Sequence, residues 1–318
     1  MKKFNPLNYF NNIKLISSSS AYQKIISRCF SKSSTMKNAV KLSTTLYTSP
    51  NTAPLNELSP VIIMHGLFGS KNNWNSLAKA INQQTNRQVI TVDARNHGES
   101  PHSSEMTYTS MAEDVNQLIH TIGVDKSILI GHSMGGAVMM CTALNHPNLT
   151  DKLIIVDMSP IKTSPSLYEM TKIIDALQRI KFENYHTLSE ARKSTDKLLS
   201  STIESVSLRQ FLLTNISEIT PGQYKWRVNL PVIAENFSTN IAVFPQLIPK
   251  LKNQSFDGKT LFIAGGNSDY IRVEDEENIK KLFSNAKIHY IANAGHWVQS
   301  DNPTEFLKVA CSFINSDR

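Results

Sequence analysis

From residue 60 onward, short runs of consecutive apolar residues alternate with stretches whose apolar positions fall three and four apart. The runs are VIIM at 61–64, VITV at 89–92, SILI at 127–130, LIIV at 153–156, TLFIA at 260–264 and IHYIA at 288–292. Each is short, rich in β-branched residues and apolar at successive positions, which predicts a strand covered on both faces. Between them, Tyr108, Met111, Ala112, Val115, Leu118, Ile119 and Ile122 keep helical spacing. Strand and helix in alternation predict βαβ units and a parallel sheet flanked by helices, an α/β fold.

One interval breaks the alternation. Residues 161 to about 250 contain no clear strand, only helix-like stretches such as LYEMTKIIDALQRI and LRQFLLTNI. An insertion of about 90 residues is too long for a loop without structure of its own. The pattern therefore predicts a helical lid over 161–250, set between core segments at 58–160 and 251–315. There are no internal repeats, and SSSS at 17–20 is the one low-complexity patch.

Composition changes this picture at one end only. With 318 residues, 40% hydrophobic and 19% charged, the chain can bury a sizeable core. A formal charge of +7 spread over the fold would suggest nucleic acid or an acidic membrane as partner. It is not spread: residues 1–41 hold Lys2, Lys3, Lys14, Lys24, Arg28, Lys32, Lys37 and Lys41 and no acid, the first acid being Glu57. With those eight set aside, 25 basic residues face 26 acidic ones, and nothing points to nucleic acid.

The same opening segment is rich in serine, and in a helix Tyr22, Ile25, Ile26 and Cys29 would share one face, away from Lys24 and Arg28. Basic, acid-free, serine-rich and amphipathic is the composition of a mitochondrial transit peptide, expected over residues 1–35 and directing the chain to the matrix. RCFS at 28–31 resembles a matrix-processing site, with the cut between Phe30 and Ser31. No uninterrupted apolar run reaches the roughly 20 residues of a transmembrane helix. Cys29, Cys141 and Cys311 form no CxxC pattern and no disulfide framework, which suggests a reducing compartment.

Candidate chemistry begins where the apolar run SILI gives way to Gly131-His132-Ser133-Met134-Gly135 and then to a second apolar segment. A serine on a sharp strand-to-helix turn must take a strained backbone, and glycines two residues to either side remove side chains that would collide there. The turn would lift the Ser133 hydroxyl above the sheet, with the free N–H groups of the following helix aimed at the same point. A serine hydroxyl is a poor nucleophile without a base held by an acid.

Of nine histidines, His296 in NAGHWVQ follows the last strand and stands well C-terminal to Ser133, the place of the base in the order serine, acid, histidine. His65, His97 and His132 lie in turns near the same sheet edge and read as structural, while His102, His120, His146, His186 and His289 carry no motif. The strand VIIM ends in His65-Gly66, and the backbone N–H groups of Leu67 and Met134 are candidates for an oxyanion hole.

HGLFGSKNNW, DARNHGESPHS, GHSMGG, VDMSP, QFLLTN, WRVNL, GGNS and AGHWV together resemble the α/β-hydrolase domain-containing protein 11 family of mitochondria and its bacterial esterase relatives. The resemblance extends from residue 60 to 315. It implies a mostly parallel, eight-stranded hydrolase sheet with a helical cap, a mitochondrial location, and activity on ester or thioester acyl groups. Many members of the wider superfamily carry the triad acid after the strand read here as TLFIA, where this chain has GGNSDY: Ser268 occupies the expected position and Asp269 is one residue late. The bacterial relatives carry it at the end of the preceding strand, which matches Asp157 in LIIVDMSP.

The resulting expectation is a serine hydrolase acting through Ser133, His296 and Asp157 on a small-molecule acyl ester or thioester, with Asp269 the alternative acid and with no metal or organic cofactor. Fold relatives that use an aspartate nucleophile are disfavoured, because this elbow carries serine. A catalytically weak scaffold of a mitochondrial complex is the competing reading from another class, and acyl transfer is a third. No feature of the sequence identifies a protein partner or the physiological substrate.

Overall fold

The computed structural model describes residues 38–316, so the expected transit peptide over 1–35 and its processing site lie outside the described residues. The described strands are β1 Thr44–Tyr47, β2 Val61–Met64, β3 Val89–Val92, β4 Ser127–His132, β5 Thr150–Val156, β6 Ile216–Thr220, β7 Gln223–Trp226, β8 Lys259–Gly265 and β9 Ala286–Ile291. Seven of them form one sheet in the order β1-β3-β2-β4-β5-β8-β9, parallel except for β1, which runs antiparallel to β3.

The resemblance implies eight strands, and the described residues supply seven. The stretch between β1 and β2 contains Pro50, Pro54 and Pro60 and folds into turns. The 161–250 interval also differs from expectation, because β6 and β7 form an antiparallel hairpin within it. Its signal is Pro221-Gly222 between the two strands, with Gly222 at φ 77°.

Although the central strands carry runs of consecutive apolar residues, successive residues face opposite layers. Ile62, Met64, Ile90, Val92, Leu129, Leu153 and Ile155 join the core that contains the Tyr108–Ile122 and Met134–Asn145 helices. Val61, Ile63, Val89, Ile128, Ile130, Ile154 and Val156 join the other, against the Asn75–Thr85 and Pro303–Ile314 helices. All twelve residues of the Met134–Asn145 helix are buried, which accounts for its lack of a polar face. Lys152 is a charged residue inside a strand. Its Nζ donates to the carbonyls of Phe313 and Ile314 at 3.0 and 2.8 Å, capping the C-terminal end of the last helix, where a cation is favoured.

The insert between β5 and β8 carries helices at Pro165–Gln178, Leu188–Leu199, Val206–Leu213 and Leu230–Asn236 as well as the hairpin. Ala191, Leu213, Ile216 and Tyr224 give it a small core of its own, while Leu167, Ile174, Leu177, Leu212 and Ile233 pack into the main one.

Strand register brings the candidate residues to one edge. Met64 pairs with Gly131, His132 with Val156, Val156 with Ile263 and Gly265 with Ile291. The turns after β2, β4, β5, β8 and β9 therefore meet at the carboxyl ends of adjacent strands, where ligands bind in sheets of this kind.

Two buried ion pairs hold the DARNHGES segment beneath that edge. Lys71 Nζ reaches the buried Asp93 at 2.7 Å and, at the same distance, the exposed carboxylate of Glu99. Arg95, fully buried, grips Asp114 with two nitrogens and donates to the carbonyls of Asn38, Glu105 and Ser110. Gly98, at φ 54°, packs so tightly that a Cβ there would lie 2.2 Å from the Asp93 carboxyl carbon, whereas at Gly222 the nearest atom would be 3.9 Å away. Gly98→Ala is therefore expected to disrupt the buried pair at a cost of about 3–5 kcal/mol. Gly222→Ala bears only the backbone penalty of about 1 kcal/mol. Urea unfolding of the two variants checks this, with equal losses contradicting it.

Candidate active site

Ser133 is the single residue between β4 and the Met134–Asn145 helix, and its backbone stands at φ 52°, ψ −119°. Such a conformation costs on the order of 1–3 kcal/mol for a non-glycine residue and persists only where its surroundings over-determine it. Here they do. The Ser133 N–H donates to the Val156 carbonyl at 3.0 Å, and its own carbonyl accepts from Ala137 at 3.0 Å, opening the helix. A Cβ on Gly131 would lie 2.2 Å from the Gly135 carbonyl oxygen, the collision across the turn that the sequence predicts. Gly135 has a different reason to be glycine: its Cβ would meet the Met64 and His65 carbonyl oxygens at 2.5 and 2.6 Å, on the neighbouring chain segment.

The turn after β2 lies directly against this elbow. A Cβ on Gly66 would approach Ser133 Cβ to 3.2 Å and His132 Nδ1 to 3.0 Å. Beyond Leu67, Phe68 takes φ 62° and is fixed from both sides. Its N–H donates to His97 Nε2 at 3.2 Å, and its carbonyl accepts from Asn215 Nδ2, on the insert, at 2.7 Å. Leu67 and Met134, the oxyanion-hole candidates, thus belong to two segments in close backbone contact.

Asp157 directly follows β5 at φ 49° and is fully buried. Its N–H donates to the Ile263 carbonyl at 2.9 Å, and its carboxylate Oδ2 lies 2.7 Å from His296 Nδ1. Gly265 donates its N–H to Oδ1 at 3.1 Å, and the Ser268 hydroxyl donates to Oδ2. The His296 loop can come this close because Gly265 lacks a side chain: a Cβ there would stand 2.2 Å from the Gly295 carbonyl oxygen. His132, through Nε2, holds the His296 carbonyl at 2.8 Å, and the Tyr270 ring stacks on the imidazole at 3.9 Å and 17°.

Asp269, the alternative acid, turns toward the insert. It accepts from the Ser164 hydroxyl at 2.6 Å and from the Ser166 hydroxyl and N–H at 2.9 and 3.2 Å, at the start of the Pro165–Gln178 helix. Burial alone would raise its carboxyl, but these donors outweigh burial and hold it below the usual carboxylate range. The structure therefore brings Asp157 to His296 and takes Asp269 elsewhere.

The three turn histidines are buried. Burial pushes the imidazoles of His97 and His132 down to about 3, the neighbouring His65 adding to the effect at His97 and His296 at His132. His65 is lowered too, chiefly by burial, and its Nε2 accepts the Ala94 N–H at 3.1 Å. Elsewhere, His146 pairs with Glu113 at 2.6 Å and His289 approaches Glu305 at 3.7 Å. Ser268, Tyr270 and Asn215 are the contacts that sequence reasoning missed. Only Ser268 carried a signal, as a hydroxyl residue where an acid was expected.

A family model described as alpha/beta hydrolase fold matches residues 59–303. The chain is 41% identical over 290 residues to the sn-1-specific diacylglycerol lipase ABHD11 of Mus musculus, covering 90% of each protein. It is 33% identical to Esterase YbfF of Escherichia coli, covering 81% of this chain and 93% of that one. Among solved structures, one described as a marine microorganism esterase superposes with a TM-score of 0.74 at 34% identity, covering 86% of this chain and all of that one.

Neutral buried histidines leave a mark on stability. A histidine whose folded value lies below its unfolded value of about 6.5 takes up a proton on unfolding, so its contribution is complete above about 6.5 and is lost as pH falls toward the folded value. With His97 and His132 both at about 3, the unfolding free energy is expected to fall between about pH 6 and 4 by roughly 1.4 kcal/mol per pH unit for each histidine. Urea titrations across that window check the slope. A stability flat from pH 6 to 4 would contradict it.

Proposed function

Since the chain belongs to the α/β-hydrolase fold family and is a serine ester hydrolase with esterase- or lipase-like activity, we propose that it cleaves its substrate through an acyl-enzyme on Ser133, with His296 as base and Asp157 as acid. The observation that carries this reading is the 2.7 Å contact between His296 Nδ1 and a fully buried carboxylate, beside a serine held at φ 52° on the elbow.

In this mechanism Ser133 Oγ attacks the acyl carbon and the Nε2 of His296 takes its proton. Asp157 at Nδ1 fixes the tautomer that leaves Nε2 free to accept and stabilises the imidazolium that forms. The N–H groups of Leu67 and Met134 stabilise the developing oxyanion, and the positive end of the Met134–Asn145 helix adds to their field. The imidazolium returns the proton to the leaving alcohol or thiol. Water, activated by the same histidine, then attacks the acyl-serine and frees the acid.

The substrate class is an acyl ester or thioester of a small molecule. The lipase and esterase names of the relatives support an ester, and diacylglycerol is one arm of the test. Cofactor and metal have no step in this chemistry. The insert over 161–250 is assigned as the lid that shapes the acyl site, through its attachment to Phe68 and Asp269. No helix of the described residues is long and apolar enough to cross a membrane. The basic, acid-free segment ahead of Glu57 supports delivery to the mitochondrial matrix.

Ser133→Ala is expected to lower turnover on a panel of p-nitrophenyl esters, acyl-CoAs and diacylglycerol by on the order of 10⁶. Activity that survives would place the nucleophile elsewhere. Asp157→Asn is expected to cost as much as about 10⁴ in turnover with the fold intact by thermal melting, as a wrong-tautomer variant does. Asp269→Asn is expected to be mild, and the reverse ranking would move the acid to the later strand. N-terminal sequencing of the protein from isolated mitochondria is expected to begin at or near Ser31, whereas an intact Met1 in the cytosol would remove the import reading.

A further inference from the structure

The turn after β2 holds a conformation that its own residues do not favour. The Gly69 N–H closes it on the Gly66 carbonyl at 2.9 Å, which makes Leu67 and Phe68 the two central residues. Phe68 stands at φ 62°, and a positive φ at the second central position belongs to the turn type that takes glycine or asparagine there. Such a conformation persists at a phenylalanine only where the surroundings over-determine it. Here two side chains do so. The Phe68 N–H donates to His97 Nε2 at 3.2 Å, and the Phe68 carbonyl accepts from Asn215 Nδ2 at 2.7 Å. Asn215 is buried just beyond the Val206–Leu213 helix of the insert. Its backbone is committed within the insert, the N–H to the Leu212 carbonyl at 3.0 Å and the carbonyl to the Arg227 N–H at 2.6 Å, so the side chain alone reaches the turn. The His97 side of the clamp is tied to the insert as well, because Asn229 donates through its N–H and its Nδ2 to the adjacent Asn96 at 2.9 and 3.0 Å.

We propose that Asn215, a residue of the insert, is a positioning residue for the oxyanion hole: by holding the Phe68 carbonyl it keeps the turn in the form that aims the Leu67 N–H at the reacting acyl oxygen. This rests on the reading of Ser133 as nucleophile and of the Leu67 N–H as an oxyanion donor. Leu67 directly precedes Phe68, so a turn that relaxes toward the negative φ open to phenylalanine rotates the Leu67–Phe68 peptide and shifts the Leu67 backbone with it. A misplacement of about 1 Å at a reacting centre can cost about a hundredfold in rate. The insert is thereby part of the catalytic geometry as well as a cover over it. Acylation and deacylation both pass through an oxyanion, so a disturbed hole slows both, and the loss falls on kcat while KM changes little.

Kinetics of the full chain on p-nitrophenyl esters, paired with inhibition by a trifluoromethyl ketone that bears the same acyl chain, test this. The ketone carbon takes the serine oxygen, its carbonyl electron pair moves onto the oxygen, and the serine proton passes to the histidine, so the adduct carries its negative oxygen where the oxyanion forms. Asn215→Leu and Asn215→Asp keep the shape of the side chain and remove the donor. Each is expected to lower kcat by about tenfold to a hundredfold, less than the loss of a direct oxyanion donor, with KM within about twofold of wild type. The ketone is expected to bind more weakly by the same factor as kcat falls, and the melting temperature to stay near wild type. Should one variant melt early, the other takes its place with the same expectation. A wild-type kcat in these variants beside an inactive Ser133→Ala overturns the proposal and leaves the nucleophile in place. A lowered kcat with the ketone bound as tightly as by the wild type overturns it as well, because Asn215 then acts by a route other than the oxyanion. An active Ser133→Ala instead overturns the reading on which the proposal stands.

Discussion

The structure depends on how closely three backbone segments approach one another at the carboxyl edge of the sheet. Gly131 faces the Gly135 carbonyl, Gly135 faces the ends of Met64 and His65, and Gly66 faces Ser133 itself, all at distances that exclude a Cβ or nearly so. Under that crowding Ser133 has no relaxed conformation available. Its positive φ is sustained by the ladder of β4 on one side and the first turn of the buried helix on the other. Ser133 then sits where the turn after β2 meets the N-terminus of the Met134–Asn145 helix, next to His132, which holds the His296 loop. A similar crowding recurs at Gly265, whose missing side chain admits the backbone of Gly295 and so brings His296 to Asp157.

Around this edge the buried polar groups are paired with one another and with the backbone. Asp157 accepts three donors, Arg95 spreads its donors over Asp114 and three carbonyls, and Lys71 is shared by two carboxylates. His97 and His132 are held neutral by burial, so each can accept at one ring nitrogen and donate at the other. The insert belongs to the same network. Asn215 holds Phe68, Asn229 holds Asn96 through backbone and side chain, and Asp269 holds the Pro165–Gln178 helix. The segment after β8 divides its contacts residue by residue: Ser268 donates to Asp157, Asp269 accepts from the insert and Tyr270 stacks on His296.

Much of the architecture was legible because it is local. Six strands were readable as continuous apolar runs, and the Tyr108–Ile122 helix as spacing. The expectation of an eighth strand came from resemblance, and the described residues supply seven in one sheet, with β1 at its edge. The β6–β7 hairpin was missed because its strands alternate polar residues and carry no apolar run, leaving Pro221-Gly222 as the only cue. The contacts around the candidate site were hidden for a different reason. Ser268 meets Asp157 across 111 positions and Asn215 meets Phe68 across 147, and nothing in a single chain encodes such pairings. Choosing between Asp157 and Asp269 by spacing alone was ambiguous for the same reason, whereas the fold separates them by the groups each one touches.

The central claim is that crowding at the elbow makes Ser133 the nucleophile, and the most direct test is to catch the acyl group on it. The protein is mixed with a p-nitrophenyl ester, quenched in acid within the first turnovers, digested and mapped by mass spectrometry. The account predicts one acyl adduct, on the peptide that carries Ser133, forming in step with the release of p-nitrophenol and decaying as free acid appears. An adduct on a different residue, or steady turnover with no covalent adduct and with solvent oxygen entering the product in a single step, would contradict it.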